Sequence, residues 1–327
     1  MKSILRKALL LPAISVFAIF AVLSVPAHAW EPKKPVEFII MAGTGGGADQ
    51  MARLMQSIIQ KNNLSSQPFI PINKPGGSGA EALRYLKDNE GNDHVVMITL
   101  NSFYTTPLLN PDLGVDISTF TPIGRMALDT FLLWVNSETD IQSLDDYVVE
   151  VKAKGRDWKM GGTGEGQEDS LVTGMLQNKF GFEVTYVPFP GGGTVAKNLI
   201  GKHIDSTVNN PSEQMGFFEA GQSRPLMVLT PERLPQFPDV PTSAEVGHPD
   251  LVYYMQRSIN GPPGMPAEAQ EYYINLFKQL FDSAEWQEFC ASDGIFCEEW
   301  LAGDELAQYH ATEKAKHEEL LKGMGKI

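Results

Sequence analysis

Three glycine-rich turns, each lying after a short apolar run and before an amphipathic segment, constrain this chain more than any other feature. They are Gly43-Thr-Gly-Gly-Gly-Ala-Asp49, Gly161-Gly-Thr-Gly-Glu-Gly166 and Pro190-Gly-Gly-Gly193. The first follows residues 35–41, whose β-branched and aromatic members read as a buried strand. It precedes residues 49–61, where Met51, Leu54, Met55, Ile58 and Ile59 recur at helical spacing. Further strands are expected at 69–72, 94–100, 131–135, 158–161, 183–188 and 226–229, with helices at 80–87, 144–154, 168–180, 194–202, 267–282 and 303–322. Strand–helix alternation of this kind predicts parallel sheets covered by helices on both faces. No low-complexity linker interrupts the 327 residues, so two α/β domains joined by crossing strands fit better than two domains on a flexible tether.

Residues 1–29 stand apart from this pattern. Lys2, Arg6 and Lys7 give a positive start, residues 8–25 are almost wholly apolar, and Ala27-His28-Ala29 supplies a small-x-small cleavage site. The apolar run is long enough to be an uncleaved membrane anchor, but Pro26 and the alanine triplet favour cleavage after Ala29, leaving Trp30 first. Loss of three positive charges takes the formal net charge from −14 to −17. So acidic a chain lacks the cationic footprint of a nucleic-acid binder, and its two cysteines cannot build a zinc ribbon. In an exported protein, Cys290 and Cys297 are expected to form a structural disulfide, against the alternative of two buried thiols.

Glycine lets the backbone approach a ligand, and the free N–H groups of a first helical turn bind anions. In open α/β sheets ligands sit beyond the carboxyl ends of strands, where these turns lie. An anion-binding cleft is the reading that follows. Gly43, Gly45 and Ala48 also satisfy a dinucleotide fingerprint, yet the second strand ends Ile72-Asn73-Lys74-Pro75, with no carboxylate for a ribose. Gly76-Gly-Ser-Gly-Ala80 lacks the last glycine of a nucleophile elbow, and Gly201-Lys202-His203 lacks the hydroxyl residue of a phosphate loop. Asp49 fits a dipole-complementing first-turn acid better than a general base. Glu165, Glu168 and Asp169 fit solvated or capping roles better than metal ligation. The histidines are dispersed, and no nucleophile meets a base. No catalytic residue, metal or cofactor is expected.

The order of several motifs resembles a known family. Trp30-Glu-Pro-Lys-Lys-Pro-Val36, the first glycine turn with Ala52-Arg53, Asn73-Lys-Pro-Gly-Gly-Ser-Gly79, Phe120-Thr-Pro-Ile123, Val187-Pro-Phe-Pro-Gly-Gly192, Gly201-Lys-His-Ile-Asp205 and Pro238-Asp-Val-Pro-Thr242 are similar to the landmarks of tripartite tricarboxylate transporter substrate-binding receptors of the Bug type. The resemblance implies an α/β, two-domain type II periplasmic binding fold, with the cleft between two doubly wound mixed sheets. It implies domain 1 from residues 30–129 plus 252–327 and domain 2 from 130–251, with crossings near Asp129 and Leu251. It implies a periplasmic monomer that presents a small carboxylate, a di- or tricarboxylate or an aromatic acid, to membrane permease subunits. Thr44, Gly45, Gly46, Gly47, Ala48 and Asp49, together with Phe189, Gly191, Gly192 and Gly193, would hold one carboxylate. Gly162, Thr163, Gly164, Glu165 and Gly166 would face the ligand's other end, with Asn101, Ser102 and Asn210 as further contacts.

The chain departs from that pattern at Met41, where the family commonly has proline, and at Glu165, where it has a small or apolar residue. In the cleft Glu165 would repel a second carboxylate or require a cationic group on the ligand. Phe103, Tyr104, Phe131, Trp134 and Phe189 are expected in the core rather than stacked on a ligand. A ligand-sensing partner of a membrane receptor and an exported enzyme on the same scaffold are the readings from other classes.

Overall fold

The computed structural model describes residues 30–327; the expected leader and its cleavage site lie outside the described residues. Eleven strands are described: β1 (Val36–Ile40), β2 (Phe69–Asn73), β3 (Val95–Ile98), β4 (Thr121–Asp129), β5 (Leu132–Asn136), β6 (Lys159–Gly162), β7 (Thr185–Pro188), β8 (Ser206–Asn209), β9 (Ser223–Val228), β10 (Met255–Gly261) and β11 (Leu301–Ala302). They form one sheet in the order β11-β4-β10-β3-β1-β2 and another in the order β7-β6-β8-β5-β9. The first sheet thus draws on both ends of the chain, the second on its middle. The chain passes between them at Thr130 and Phe131 and returns through residues 229–254.

The sheets are mixed rather than wholly parallel. β1 runs parallel to β2 and β3, and β6 parallel to β7 and β8, as the glycine-turn alternation requires. β10 is antiparallel to β3 and β4, and β5 is antiparallel to β8 and β9. Hydrophobic patterning misses β10 because its middle, Gln256, Arg257 and Ser258, is polar yet fully buried. β8 is hidden for the same reason: Ser206, Thr207 and Asn209 are buried.

The helices α1 (Gly47–Lys61), α2 (Ala80–Asp88), α3 (Ser102–Leu109), α4 (Leu144–Lys154), α5 (Glu168–Phe180), α6 (Gly192–Ile200), α7 (Pro211–Glu219), α8 (Ala267–Phe281), α9 (Ala284–Asp293) and α10 (Gly303–Gly323) cover the sheets. α1 buries Met51, Ala52, Met55, Ile58 and Ile59 on one face, with Asp49 in its first turn and Lys61 in its last, both complementary to its dipole. Phe38, Phe69, Tyr273 and Phe277 pack edge to face beneath it. Burial of each such side chain contributes about 1.5–3 kcal/mol. Trp30 is docked, its indole N–H donating to Asp93 and its ring against Tyr272 and Tyr273.

Cys290 near the end of α9 is joined to Cys297 as a disulfide. Beside it Phe296 exchanges two backbone hydrogen bonds with Leu128, at 2.8 and 2.9 Å, one residue before β4 ends. Among the described residues, no helix is long and apolar enough to cross a membrane.

Candidate functional site

The carboxyl ends of β1, β6 and β7 face one seam between the sheets, and each feeds a glycine turn into a helix. At the seam two turns meet backbone to backbone. A Cβ on Gly43 would lie 2.4 Å from the Pro190 carbonyl oxygen, and one on Gly193 would lie 2.5 Å from that of Gly45. No side chain fits between them, so only glycine permits the closed approach. Gly45 also sits at φ +81°, a left-handed conformation that favours glycine.

A cavity of about 20 Å³, roughly one water in size, lies behind this contact and is lined by Gly46, Gly47, Ala48, Thr163, Gly191, Gly192 and Asn210 from the expected set. The charged residues Glu168, Asp169, Glu213 and Arg257 line it too. Of the four charged residues, Glu168 and Asp169 are expected from sequence in solvated or capping roles, yet both are buried, and Glu213 and Arg257 are not singled out by sequence. Arg257 Nε and Nη2 bond Asp129 Oδ2 at 3.1 and 2.5 Å, a pair buried to 1% and 0% exposure. Nη2 also reaches Asn210 Oδ1 at 3.2 Å, linking the first sheet to the N-cap of α7.

Glu213 lies at that N-terminus, where its carboxylate accepts from the Asn210 N–H at 3.3 Å and, across the seam, from the Gly47 N–H at 2.9 Å. Burial pushes its carboxyl up to about 7, against the Gly47 N–H and Arg257, which hold it down; the Asp129 charge adds to the rise. Asp169 is raised well above the usual carboxylate range by burial and then by the Glu213 charge, although the Thr163 N–H donates to it at 2.7 Å. Burial also raises Glu168, whose carboxylate accepts the Ser102 N–H across the seam.

Several expected residues support the site without lining it. Asp49 accepts from the Gly45 N–H, Arg53 and Asn73, all at 2.9 Å, and so braces the first turn. Burial alone would raise its carboxyl, but Arg53 and these donors hold it below its ordinary value. Asn101 is consumed by Tyr253, the Tyr254 carbonyl and the Gln256 N–H. Ser102, Gly164 and Gly166 make the seam itself: a Cβ on Gly164 would meet Ser78 Oγ at 2.6 Å, and Thr105 donates to the Gly166 carbonyl at 2.9 Å. Gly162 ends β6 under the Tyr186 hydroxyl. Thr44 is exposed, and Phe189 packs on the smaller core cluster of the second sheet. Glu165 is 77% exposed beside Lys326, outside the cavity. Phe103, Tyr104, Phe131 and Trp134 are fully buried in the core.

A larger depression of about 640 Å³ surrounds Trp158, Asp205 and Lys202. It sits at the amino ends of β6 and β8, the wrong end of a parallel sheet for a ligand. The seam, where two glycine turns meet beside buried charged side chains at the carboxyl ends of the strands, is the better candidate. Among the described residues, no three His, Cys, Asp or Glu side chains are placed to hold a metal ion.

Comparison with known proteins bears on the family and the fold. The model of the tripartite tricarboxylate transporter family receptor matches residues 51–325. Protein BugT of Bordetella pertussis is 24% identical over 262 residues, spanning 78% of this chain and 79% of BugT. The periplasmic binding protein BugD superposes with a TM-score of 0.84 at 20% identity, over 90% of this chain and 98% of BugD. A Rhodopseudomonas palustris protein solved with adipate superposes with a TM-score of 0.83 at 25% identity, over 90% of this chain and 98% of its own. The fold is that of a two-domain periplasmic binding protein.

Proposed function

We propose, on the premise that this chain belongs to the tripartite tricarboxylate transporter receptor family, that it is an exported receptor which captures a small carboxylate between its domains and delivers it to the membrane subunits of a transporter. The family is one of substrate-binding receptors, not enzymes. Residues 30–129 with 252–327 form one lobe and residues 130–251 the other. Gly46, Gly47, Gly191 and Gly192 hold the carboxylate through backbone N–H groups, and Asn210 and Thr163 border it.

The observation that carries this reading is the meeting of the two glycine turns at 2.4–2.5 Å for any added Cβ. Such a contact has a use only if the lobes close on something that must be gripped by backbone. The adipate complex of a 25% identical protein supports a carboxylate as that ligand. Each charge-assisted N–H bond contributes about 1.5–3 kcal/mol, so three or four, less ordering costs, sustain micromolar affinity.

A thermal-shift screen of the mature chain against mono-, di- and tricarboxylates tests the proposal. A ligand at about 100 times its dissociation constant adds roughly 2.7 kcal/mol, a rise of about 4 °C for a chain of this size. No shift with any acid, aliphatic or aromatic, would sink it.

A further inference from the structure

Ser78 stands in the left-handed region, at φ +56°, one of three residues other than glycine that do so among the described residues. A serine held there costs backbone energy, which its surroundings must offset. Gly77 and Gly79 flank it at φ +61° and +91°, and its carbonyl accepts the Thr106 hydroxyl at 2.7 Å. Met41 packs beneath: a Cβ on Gly79 would lie 2.6 Å from its methyl carbon. Pro75-Gly-Gly-Ser-Gly79 thus builds a mount for one hydroxyl, and none of these residues lines the seam cavity.

That hydroxyl is aimed across the seam. Ser78 Oγ donates to the Glu165 carbonyl at 2.9 Å, and the next carbonyl of the same turn, that of Gly166, accepts from Thr105 Oγ1 at 2.9 Å. Glycine makes room on the receiving side. A Cβ on Gly164 would meet Ser78 Oγ at 2.6 Å, and one on Gly166, itself at φ +81°, would meet Leu109 of α3 at 2.5 Å. Ser78, Thr105 and Leu109 belong with the first sheet, whereas the turn joins β6 to α5 in the second. The first two glycine turns meet backbone to backbone; the third is met by side chains.

We propose that Ser78 and Thr105 latch the closed arrangement, two neutral hydroxyl-to-carbonyl bonds holding the lobes together with no contact to a ligand. The Glu165 and Gly166 carbonyls then serve closure, and not a grip on the far end of a ligand. The latch shares with the carboxylate reading only its two lobes. With the lobes latched the seam cavity holds about 20 Å³, so entry of anything larger than a water requires the latch to break. Ser78 is a positioning residue that sets how often the cleft opens.

Spin labels at Ile70→Cys and Val149→Cys test this, since both positions are exposed, one on each lobe, and the two native cysteines are paired. Label-to-label distances are read by pulsed electron resonance on the mature chain with no ligand added, and small-angle scattering of the unlabelled chain gives a second measure of closure. Loss of one neutral hydrogen bond changes a two-state population by about 2- to 12-fold. The expected wild-type distribution is dominated by the closed distance. Ser78→Gly and Ser78→Ala should each lower the ratio of closed to open by at least about twofold, and Ser78→Gly/Thr105→Val should lower it further, with circular dichroism unchanged. A wild-type chain that is open throughout, or a ratio that no variant moves, overturns the inference. Ser78→Gly closed with Ser78→Ala open assigns closure to the strained backbone and overturns the role of the hydroxyl. Ser78→Gly decides the point even if the double variant does not fold, because glycine adopts the left-handed conformation freely. None of these outcomes touches the carboxylate reading, which stands or falls by the thermal-shift screen.

Discussion

Glu213 Oε1 accepts the Gly47 N–H at 2.9 Å across the seam, so a carboxylate of the chain itself occupies the N-terminus of α1. A Cβ on Gly192 would lie 2.1 Å from both Glu213 oxygens, which places the same carboxylate against the start of α6. Helix N-termini attract anions. Glu213 therefore stands where the proposed ligand carboxylate would sit.

That placement gives a pH dependence with a definite sign. The Glu213 carboxyl is pushed up to about 7 by burial, so the folded form binds its proton more tightly than the unfolded form. A raised carboxyl stabilises as pH falls through its folded value toward the ordinary carboxylate range, and its ionised form costs stability above that value. Glu168 and Asp169 shift in the same direction. The unliganded protein should show a thermal midpoint that rises as pH falls from about 8 to 6. Glu213→Gln removes the charge and keeps one acceptor, which can hold the shorter bond from the Gly47 N–H while the longer one from Asn210 is lost. It should raise the midpoint at pH 8 and flatten the slope over this window; an unchanged slope would contradict the assignment.

The glycine contact makes a prediction about binding that leaves the fold alone. In Gly193→Ala the new methyl meets the Gly45 carbonyl, and in Gly43→Ala it meets that of Pro190, each from the opposite lobe and each on backbone. Neither clash arises when the lobes are apart. Both variants should therefore keep the wild-type circular dichroism spectrum and lose ligand affinity by at least tenfold. Gly216, with nothing within 4 Å of an added Cβ and a place inside α7, is the control. Gly216→Ala should bind normally and gain up to about 1 kcal/mol of stability.

The glycine turns were legible in the sequence because their signal is local: an apolar run, a break that tolerates close backbone contact, an amphipathic helix. Gly46, Gly47, Gly191 and Gly192 follow from that pattern and line the cavity. Arg257 does not follow from it. Its strand reads as polar, and only the distant Asp129, brought alongside by antiparallel pairing of β10 with β4, makes its burial tolerable. Glu213 is hidden for a related reason, since in sequence it is an ordinary first-turn acid after Asn210 and Pro211. Asp49 and Asn101 are the converse case. Each has the residue type and position of a ligand contact, but each spends its hydrogen bonds on holding a loop.

The disulfide separates stability from binding. Cys290 and Cys297 close a short loop that carries Phe296 to its pairing with Leu128, beside the first crossing between the lobes. Closing a loop of this length restricts the unfolded chain by about 2.5 kcal/mol. Cys290→Ala/Cys297→Ala should lower stability in urea by roughly that amount. Because no cavity residue lies in the loop, ligand affinity should stay within about twofold of wild type.

The Asp129–Arg257 pair should behave in the opposite way. Both side chains are buried and each balances the other's charge, so removing one leaves an unpaired charge in the interior. Asp129→Ala should cost about 3–5 kcal/mol in urea unfolding. Replacing both, as in Asp129→Leu/Arg257→Met, substitutes apolar groups of similar bulk and should recover most of that loss. Binding should not recover with it. The double variant lacks the guanidinium whose Nη1 awaits an acceptor, and its affinity for the ligand should remain at least tenfold below wild type. If the stability and the affinity return together, Arg257 is a structural cation only, and the carboxylate is held by backbone alone.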